Sequence, residues 1–276
     1  MITLALLLSA ASREAPVPPA SPAVLGPGTV SQDGRYEFCS TLSRDRRILY
    51  VGIEHGDWQS TLEYRWSGEA WAGPVQRFGT PDYTVQDPYL SHDEQRLYFI
   101  TRAEGSADIG YYPADGDGGW GEPVLLGEPI NSEAQDYFVS KTRGGDYYFS
   151  SDREPDGYYD LYVGREGGEA KRLETVNSDA YEGDPFVDPD GRYLIFASDR
   201  EGGKGRGDLY FSLSDGAGGW QAPIAFDERV NTAGHELCPM VSLDGSAFMF
   251  TSNKDIHWVS TSIIEEMVER AGQEPR

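Results

Sequence analysis

Six carboxylates stand at recurring places along the chain: Glu37, Asp87, Asp136, Glu182, Asp184 and Glu236. Carboxylates brought together can hold a hard cation such as Ca2+, bind a cationic ligand, or act as the acid and base of glycoside hydrolysis. Crowded like charges raise one another's pKa unless a cation or hydrogen-bond donors offset them. Two cysteines, Cys39 and Cys238, sit within the same stretches as Glu37 and Glu236. The four histidines, His55, His92, His235 and His257, form no metal-ligand pair at short spacing. No Gly-x-Ser-x-Gly elbow and no Walker-type phosphate loop occurs, so serine-triad hydrolysis and nucleotide binding by that loop have no support.

The elements that position these groups come from an internal repeat. Segments beginning near Glu37, Asp87, Asp136, Asp184 and Cys238 each read as a short strand, a turn and then an aromatic strand, as in Asp184-Pro-Phe-Val-Asp-Pro-Asp190-Gly followed by Tyr193-Leu-Ile-Phe-Ala-Ser-Asp-Arg200. Aligned on Cys39, Asp87, Asp136, Asp184 and Cys238, the units are separated by 48, 49, 48 and 54 residues. A third strand follows an Asp at Asp108, Asp160, Asp208 and Asp255, and is weaker at Thr61-Leu-Glu-Tyr. A fourth opens at Trp71, Trp120 and Trp220, with Lys171-Arg-Leu in the third unit. Four strands in about 48 residues is the size of a propeller blade. The chain is therefore expected to be all-β: a single five-bladed β-propeller over residues 23–260. The last unit lacks its fourth strand, and Ala23-Val-Leu25 is expected to supply it, closing the ring and covering its edges. Ile263, Ile264, Met267 and Val268 have helical spacing, which predicts a short helix within a C-terminal segment 261–276.

The run of Asp-Pro, Asp-Pro-Asp-Gly, an aromatic strand ending in Ser-Asp-Arg and then Asp-Leu-Tyr resembles the WD40-like β-propeller repeat of TolB and related periplasmic proteins, most fully from Asp184 to Phe211. The resemblance covers roughly residues 23 to 268. It implies an envelope or extracellular protein that binds partners or ligands; it implies no particular reaction, because one fold hosts many functions.

In a propeller the innermost strands line a central channel, so the six carboxylates are expected to converge at its mouth as a ligand-binding ring. Glu37, Glu182 and Glu236 share one register, while Asp87, Asp136 and Asp184 are placed two residues further on, at the first position of the repeat. The alternative reading of each acid is a structural one, accepting hydrogen bonds within its own blade. A cation beside each third strand, Arg102 near Asp108, Arg153 near Asp160, Arg200 near Asp208 and Lys254 near Asp255, suggests one structural ion pair per blade. The segments Asp115 to Trp120 and Ser214 to Trp220 invite comparison with the sialidase Asp-box but depart from it, and are expected to be tight turns. Cys39 and Cys238 are equivalent positions of the first and fifth blades, which become neighbours on closure; they form either a disulfide across the seam or two buried thiols.

Composition bounds the function. A formal charge of −23, from 46 Asp+Glu against 23 Lys+Arg, disfavours nucleic acid and anionic membrane. Met1 to Ser12 resembles the apolar core and cleavage site of a secretory signal, and residues 13–22 form a Pro/Ala-rich tether. No later stretch has the ~18 apolar residues of a spanning helix. The expectation is a monomeric periplasmic or secreted module, non-catalytic, binding an envelope or extracellular protein or a glycan, with no cofactor except a Ca2+ that the channel could hold. The alternative is a glycoside hydrolase of the five-bladed propeller type using Glu37, Glu182 and Glu236.

Overall fold

A computed structural model describes residues 14–102 and 105–273. The expected secretory signal, residues 1–12, lies outside them. The short strand β1 (Ala23–Val24) precedes four complete blades, each a four-stranded antiparallel sheet in sequence order. The first is β2 (Tyr36–Leu42), β3 (Ile48–Glu54), β4 (Gln59–Trp66) and β5 (Trp71–Phe78). The second is β6 (Gln86–Leu90), β7 (Arg96–Thr101), β8 (Asp108–Pro113) and β9 (Val124–Leu125). The third is β10 (Asp136–Lys141), β11 (Tyr147–Ser151), β12 (Asp160–Gly164) and β13 (Lys171–Arg172). The fourth is β14 (Glu182–Val187), β15 (Tyr193–Ser198), β16 (Asp208–Leu213) and β17 (Ile224–Ala225). The fifth combines β18 (Glu236–Val241), β19 (Ala247–Ser252) and β20 (Asp255–Ser260) with β1 as its outermost strand. This is the expected five-bladed propeller, closed by the N-terminal strand through Ala23↔Trp258 and Val24↔His257. Residues 14–22, expected as a tether, run along that seam: Trp66 Nε1 donates to the Glu14 carbonyl at 2.8 Å and Ser260 N to the Pro19 carbonyl at 2.8 Å.

Each blade packs on both faces, so its second strand carries no polar face. All six residues of β15 are buried, and β7 is buried from Leu97 to Thr101. The turn joining first and second strands needs one left-handed residue in every blade. Gly145, Gly191 and Gly245 supply it at φ 95°, 70° and 75°, whereas Arg46 and Glu94 adopt it at 56° and 57° without glycine's freedom.

A second left-handed residue recurs inside every inner strand, where a β-bulge interrupts the ladder: Cys39, Asp87, Phe138, Asp184 and Cys238, with φ between 41° and 54°. This corrects the sequence alignment of the third blade. Phe138, not Asp136, is equivalent to Asp87 and Asp184, and Asp136 belongs to the register of Glu37, Glu182 and Glu236.

The helix α1 (Ser262–Gln273) follows β20 and buries Ile263, Ile264, Met267 and Ala271; Val268 faces outward at 37% exposure. Among the described residues no helix is long and apolar enough to cross a membrane.

Candidate functional site at the channel mouth

The two registers of inner-strand residues have separate fates. Asp136, Glu182 and Glu236 are each 0% exposed and tied to their own blade. Glu182 accepts from Ser178 N at 2.8 Å, Ser178 Oγ at 2.6 Å, Ser198 Oγ at 2.8 Å and Arg200 Nη2 at 2.9 Å. Asp136 repeats the pattern with Ser132 N at 2.7 Å, Ser132 Oγ at 2.8 Å and Arg153 Nη2 at 2.7 Å. Glu236 uses Thr232 and Ser252 Oγ, at 2.8 Å and 2.7 Å for the side-chain contacts. Glu37, also 0% exposed, pairs with Arg35 and accepts from Gln32 N at 3.3 Å. Opposite it stands Ile53 where the other blades have Ser151, Ser198 or Ser252, and Glu37 Oε2 is left buried without a donor. Burial accordingly pushes the Glu37 pKa above its ordinary value, against the Arg35 contact. These four acids, expected at the mouth, are sealed within the blades.

The cations of the Ser-Asp-Arg segments are their partners. Arg153 and Arg200 reach back over the end of the second strand to Asp136 and Glu182, instead of across the hairpin to Asp160 and Asp208. The serine before each arginine pairs directly with both acids, Ser151 with Asp136 and Asp160, Ser198 with Glu182 and Asp208, so the register offers either partner. Arg153 and Arg200 go to the inner-strand acid in each case, and the third-strand acids, also buried, have other partners. Asp160 is held by Arg172 at 2.7 Å, and Asp208 by Lys204 N at 2.6 Å and Gly205 N at 3.2 Å. Asp108 accepts from Ser106 Oγ at 3.1 Å. Arg102 donates to the Tyr137 hydroxyl, and Lys254, next to Asp255 at the β19–β20 turn, lies 5.5 Å from the Tyr36 ring centre.

One brace was legible in the sequence and went unread: Asn131-Ser132, Asn177-Ser178 and Asn231-Thr232, each ahead of an inner-strand acid. The Asn side-chain oxygen accepts the N–H of Ile109, Leu161 or Leu209 at 2.8 Å, and the next hydroxyl donates to the acid.

Four of the five bulged residues face the mouth, the fifth, Phe138, being buried in the core. At the end where the inner strands begin, Asp87, Asp184, Cys39 and Cys238 line a pocket of about 610 Å3, with Tyr36, Tyr137 and Tyr181 around it. Tyr137, Tyr159 and Tyr181 run edge to face at 5.6 and 5.8 Å between ring centres. Arg102 and Arg206 bring positive charge to the same rim, where His235 also stands. Cys39 and Cys238 are joined in a disulfide, Cα to Cα 4.9 Å, linking the first and last blades across 199 residues. Asp184 Oδ2 accepts from Cys238 N at 2.9 Å. Burial raises its pKa to about 6, with that N–H opposing the shift. Asp87 is pushed well above the carboxylate range by burial and then by Asp184. The two acids stand close enough that the charge of Asp184 disfavours ionisation of Asp87. Burial, then Arg206, lowers the His235 pKa.

At the opposite end, α1 lies over a second cavity of about 490 Å3 lined by Tyr89, Phe186 and Ile264, with His92 between Arg44 and Arg143. The Asp-box-like segments are turns, as expected: Asp115 Oδ1 takes Asp117 N and Gly119 N at 2.8 and 2.9 Å, and Asp215 Oδ1 takes Ala217 N and Gly219 N at 2.7 and 2.9 Å.

Comparison with known proteins places this architecture. No protein-family model matches the sequence, and no curated protein matches it significantly. Among solved structures, a putative TolB from Agrobacterium tumefaciens superposes with TM-score 0.52 at 21% identity, over 81% of this chain and 72% of that one. TolB from Acinetobacter baumannii gives 0.55 at 12%, over 84% of this chain and 56% of that one. An endo-arabinase from Bacteroides thetaiotaomicron gives 0.57 at 15%, over 88% and 96%. The chain shares the propeller fold of the TolB structures, and the same fold is shared by a hydrolase.

Proposed function

We propose that the chain is a non-catalytic, exported TolB-like propeller that binds a ligand through the mouth bounded by Asp87 and Asp184. The observation that carries this reading is that four residues of the bulged position, Cys39, Asp87, Asp184 and Cys238, line one pocket of about 610 Å3 together with Tyr36, Tyr137, Tyr181 and two arginines. Tyrosine faces beside carboxylates and arginines suit a glycan, whose rings stack and whose hydroxyls take both donors and acceptors. The disulfide supports a periplasmic or secreted setting, since such bonds persist in oxidising compartments. The charge of −23 argues against nucleic acid. Glu37, Glu182 and Glu236 cannot serve a hydrolase from where they lie, because a general acid must touch the bond it protonates and all three are 0% exposed.

A thermal-shift screen of the oxidised protein against a glycan panel tests the reading. A panel member should raise the melting temperature, and Asp184→Asn or Tyr181→Phe should weaken that rise. No shift from any glycan would remove the glycan reading, and new reducing ends in the mixture would replace binding by catalysis.

A further inference from the structure

The geometry points to a second state of the mouth: on reduction of the Cys39–Cys238 disulfide, we propose that Cys39, Cys238 and Asp87 form a site for a thiophilic divalent cation of the Zn2+ class. Cys39 Sγ, Cys238 Sγ and a carboxylate oxygen of Asp87 all lie within 4.8 Å of one another. Ligand atoms of a tetrahedral Zn2+ centre stand about 3.5–3.8 Å apart, given bonds of about 2.0–2.3 Å. Once the S–S bond is broken, the two sulfurs must part by about 1.7 Å to reach that spacing, and Asp87 Oδ1, 3.0 Å from Cys39 Sγ, must draw back by less than about 1 Å. The three residues come from bulged positions of three blades consecutive around the closed ring, fifth, first and second, so each side chain is delivered by the same left-handed turn of its inner strand.

Asp87 gives the second observation. It is only 9% exposed, and its Oδ1 lies 3.0 Å from Cys39 Sγ, which in a disulfide has no hydrogen to donate. The oxidised form thus buries a carboxyl group against a sulfur that offers it nothing, whereas a metal held by both sulfurs would meet that same oxygen. Two thiolates select Zn2+ over the Ca2+ that an all-oxygen ring would take. Three protein ligands leave one position open, and it opens toward the pocket of about 610 Å3, with Asp184 next along the ring. The chemistry is balanced with a phosphine as reductant: the disulfide takes two electrons, phosphine and water give phosphine oxide, two thiols form, and the metal displaces their two protons.

The site is independent of the glycan reading, which concerns the oxidised chain. The test uses the full chain reduced with a water-soluble phosphine under argon, then titrated with Co2+ and competed with Zn2+. One Co2+ per chain should bind with a thiolate-to-metal charge-transfer band, absent from the oxidised chain and from the Cys39→Ser/Cys238→Ser variant. Asp87→Asn should weaken binding by about tenfold or more. Near-ultraviolet circular dichroism covers the case in which reduction loosens the ring: metal that restores the native spectrum together with the band supports the site. A folded reduced chain without the band, or a loosened one that metal fails to restore, overturns it. An unchanged affinity in Asp87→Asn overturns the three-ligand assignment.

Discussion

Removing the disulfide should cost this protein as much as the largest single core truncations. Cys39 and Cys238 are separated by 199 residues, so the bond closes nearly the whole propeller into one loop. The chain-entropy relation for a loop of that length gives about 5 kcal/mol. At roughly 2–4 °C per kcal/mol for a domain of this size, the melting temperature should fall by roughly 10–20 °C. Other contacts also span the seam, among them the β1–β20 pairing, Glu37 N to the Lys254 carbonyl at 3.0 Å and the Arg46–Asp244 ion pair at 3.1 Å, and the disulfide is the covalent one. The assay is differential scanning fluorimetry of wild type and of Cys39→Ala/Cys238→Ala, both with chelator so that no metal stands in for the bond. Thiol titration of denatured, unreduced wild type accompanies it. Two free thiols there would refute the bond itself. A bonded wild type that melts within about 3 °C of the variant would refute the entropic reasoning and assign closure to strand pairing and packing.

Other outcomes follow from the same geometry. Arg200→Met leaves Glu182 buried without its cation and should destabilise by about 3–5 kcal/mol, with Glu182→Gln recovering part in the double variant; additive effects in urea unfolding would show that the two do not act as a pair. Asp184 has its folded pKa raised from 3.8 to about 6, so its contribution to stability is fully present below 3.8 and is lost as pH rises through about 6. Urea midpoints between roughly pH 4 and 7 should show that decline in wild type and lose it in Asp184→Asn; an equal slope in both would place its origin elsewhere. Met267→Ala on the buried face of α1 should cost about 2–5 kcal/mol, and Val268→Ala no more than about 0.5 kcal/mol. Equal losses would mean that α1 docks in another orientation.

The blade count, the strand order and the closing role of Ala23–Val24 were legible because hydrophobic strands and turn residues repeat along the chain whether or not the ring is formed. The partner of each arginine was not. Ser151 stands between Asp136 and Asp160 in the sheet, both acids lie at strand ends and both are buried, and Asp160 is already held by Arg172 of the fourth strand, a partner that appears only once the blade is paired. The register of the third blade was hidden for a different reason. Asp136 aligned with Asp87 and Asp184 gives nearly equal spacings, whereas the true equivalents Asp87, Phe138 and Asp184 stand 51 and 46 residues apart; every inner strand carries the same bulge, so the difference lies in the length of the connections.

That misplaced residue bears on how a site can be found in a repeat protein. Asp136, Glu182, Glu236 and Glu37 are alike because each answers the same local demand, a hydroxyl or amide from the preceding turn and, in three of the four, an arginine beside it. Their recurrence is the signature of a structural task, and it drew attention for the wrong reason. The bulged position has only a backbone demand, a left-handed φ that several residue types meet at a cost of about 1–3 kcal/mol. Its side chain is therefore released from the blade and free to differ, and it does: two cysteines, two aspartates and a phenylalanine. In this ring four of the five residues at one variable position, rather than the acids that repeat, line the pocket at the mouth, and the fifth, Phe138, fills the core instead.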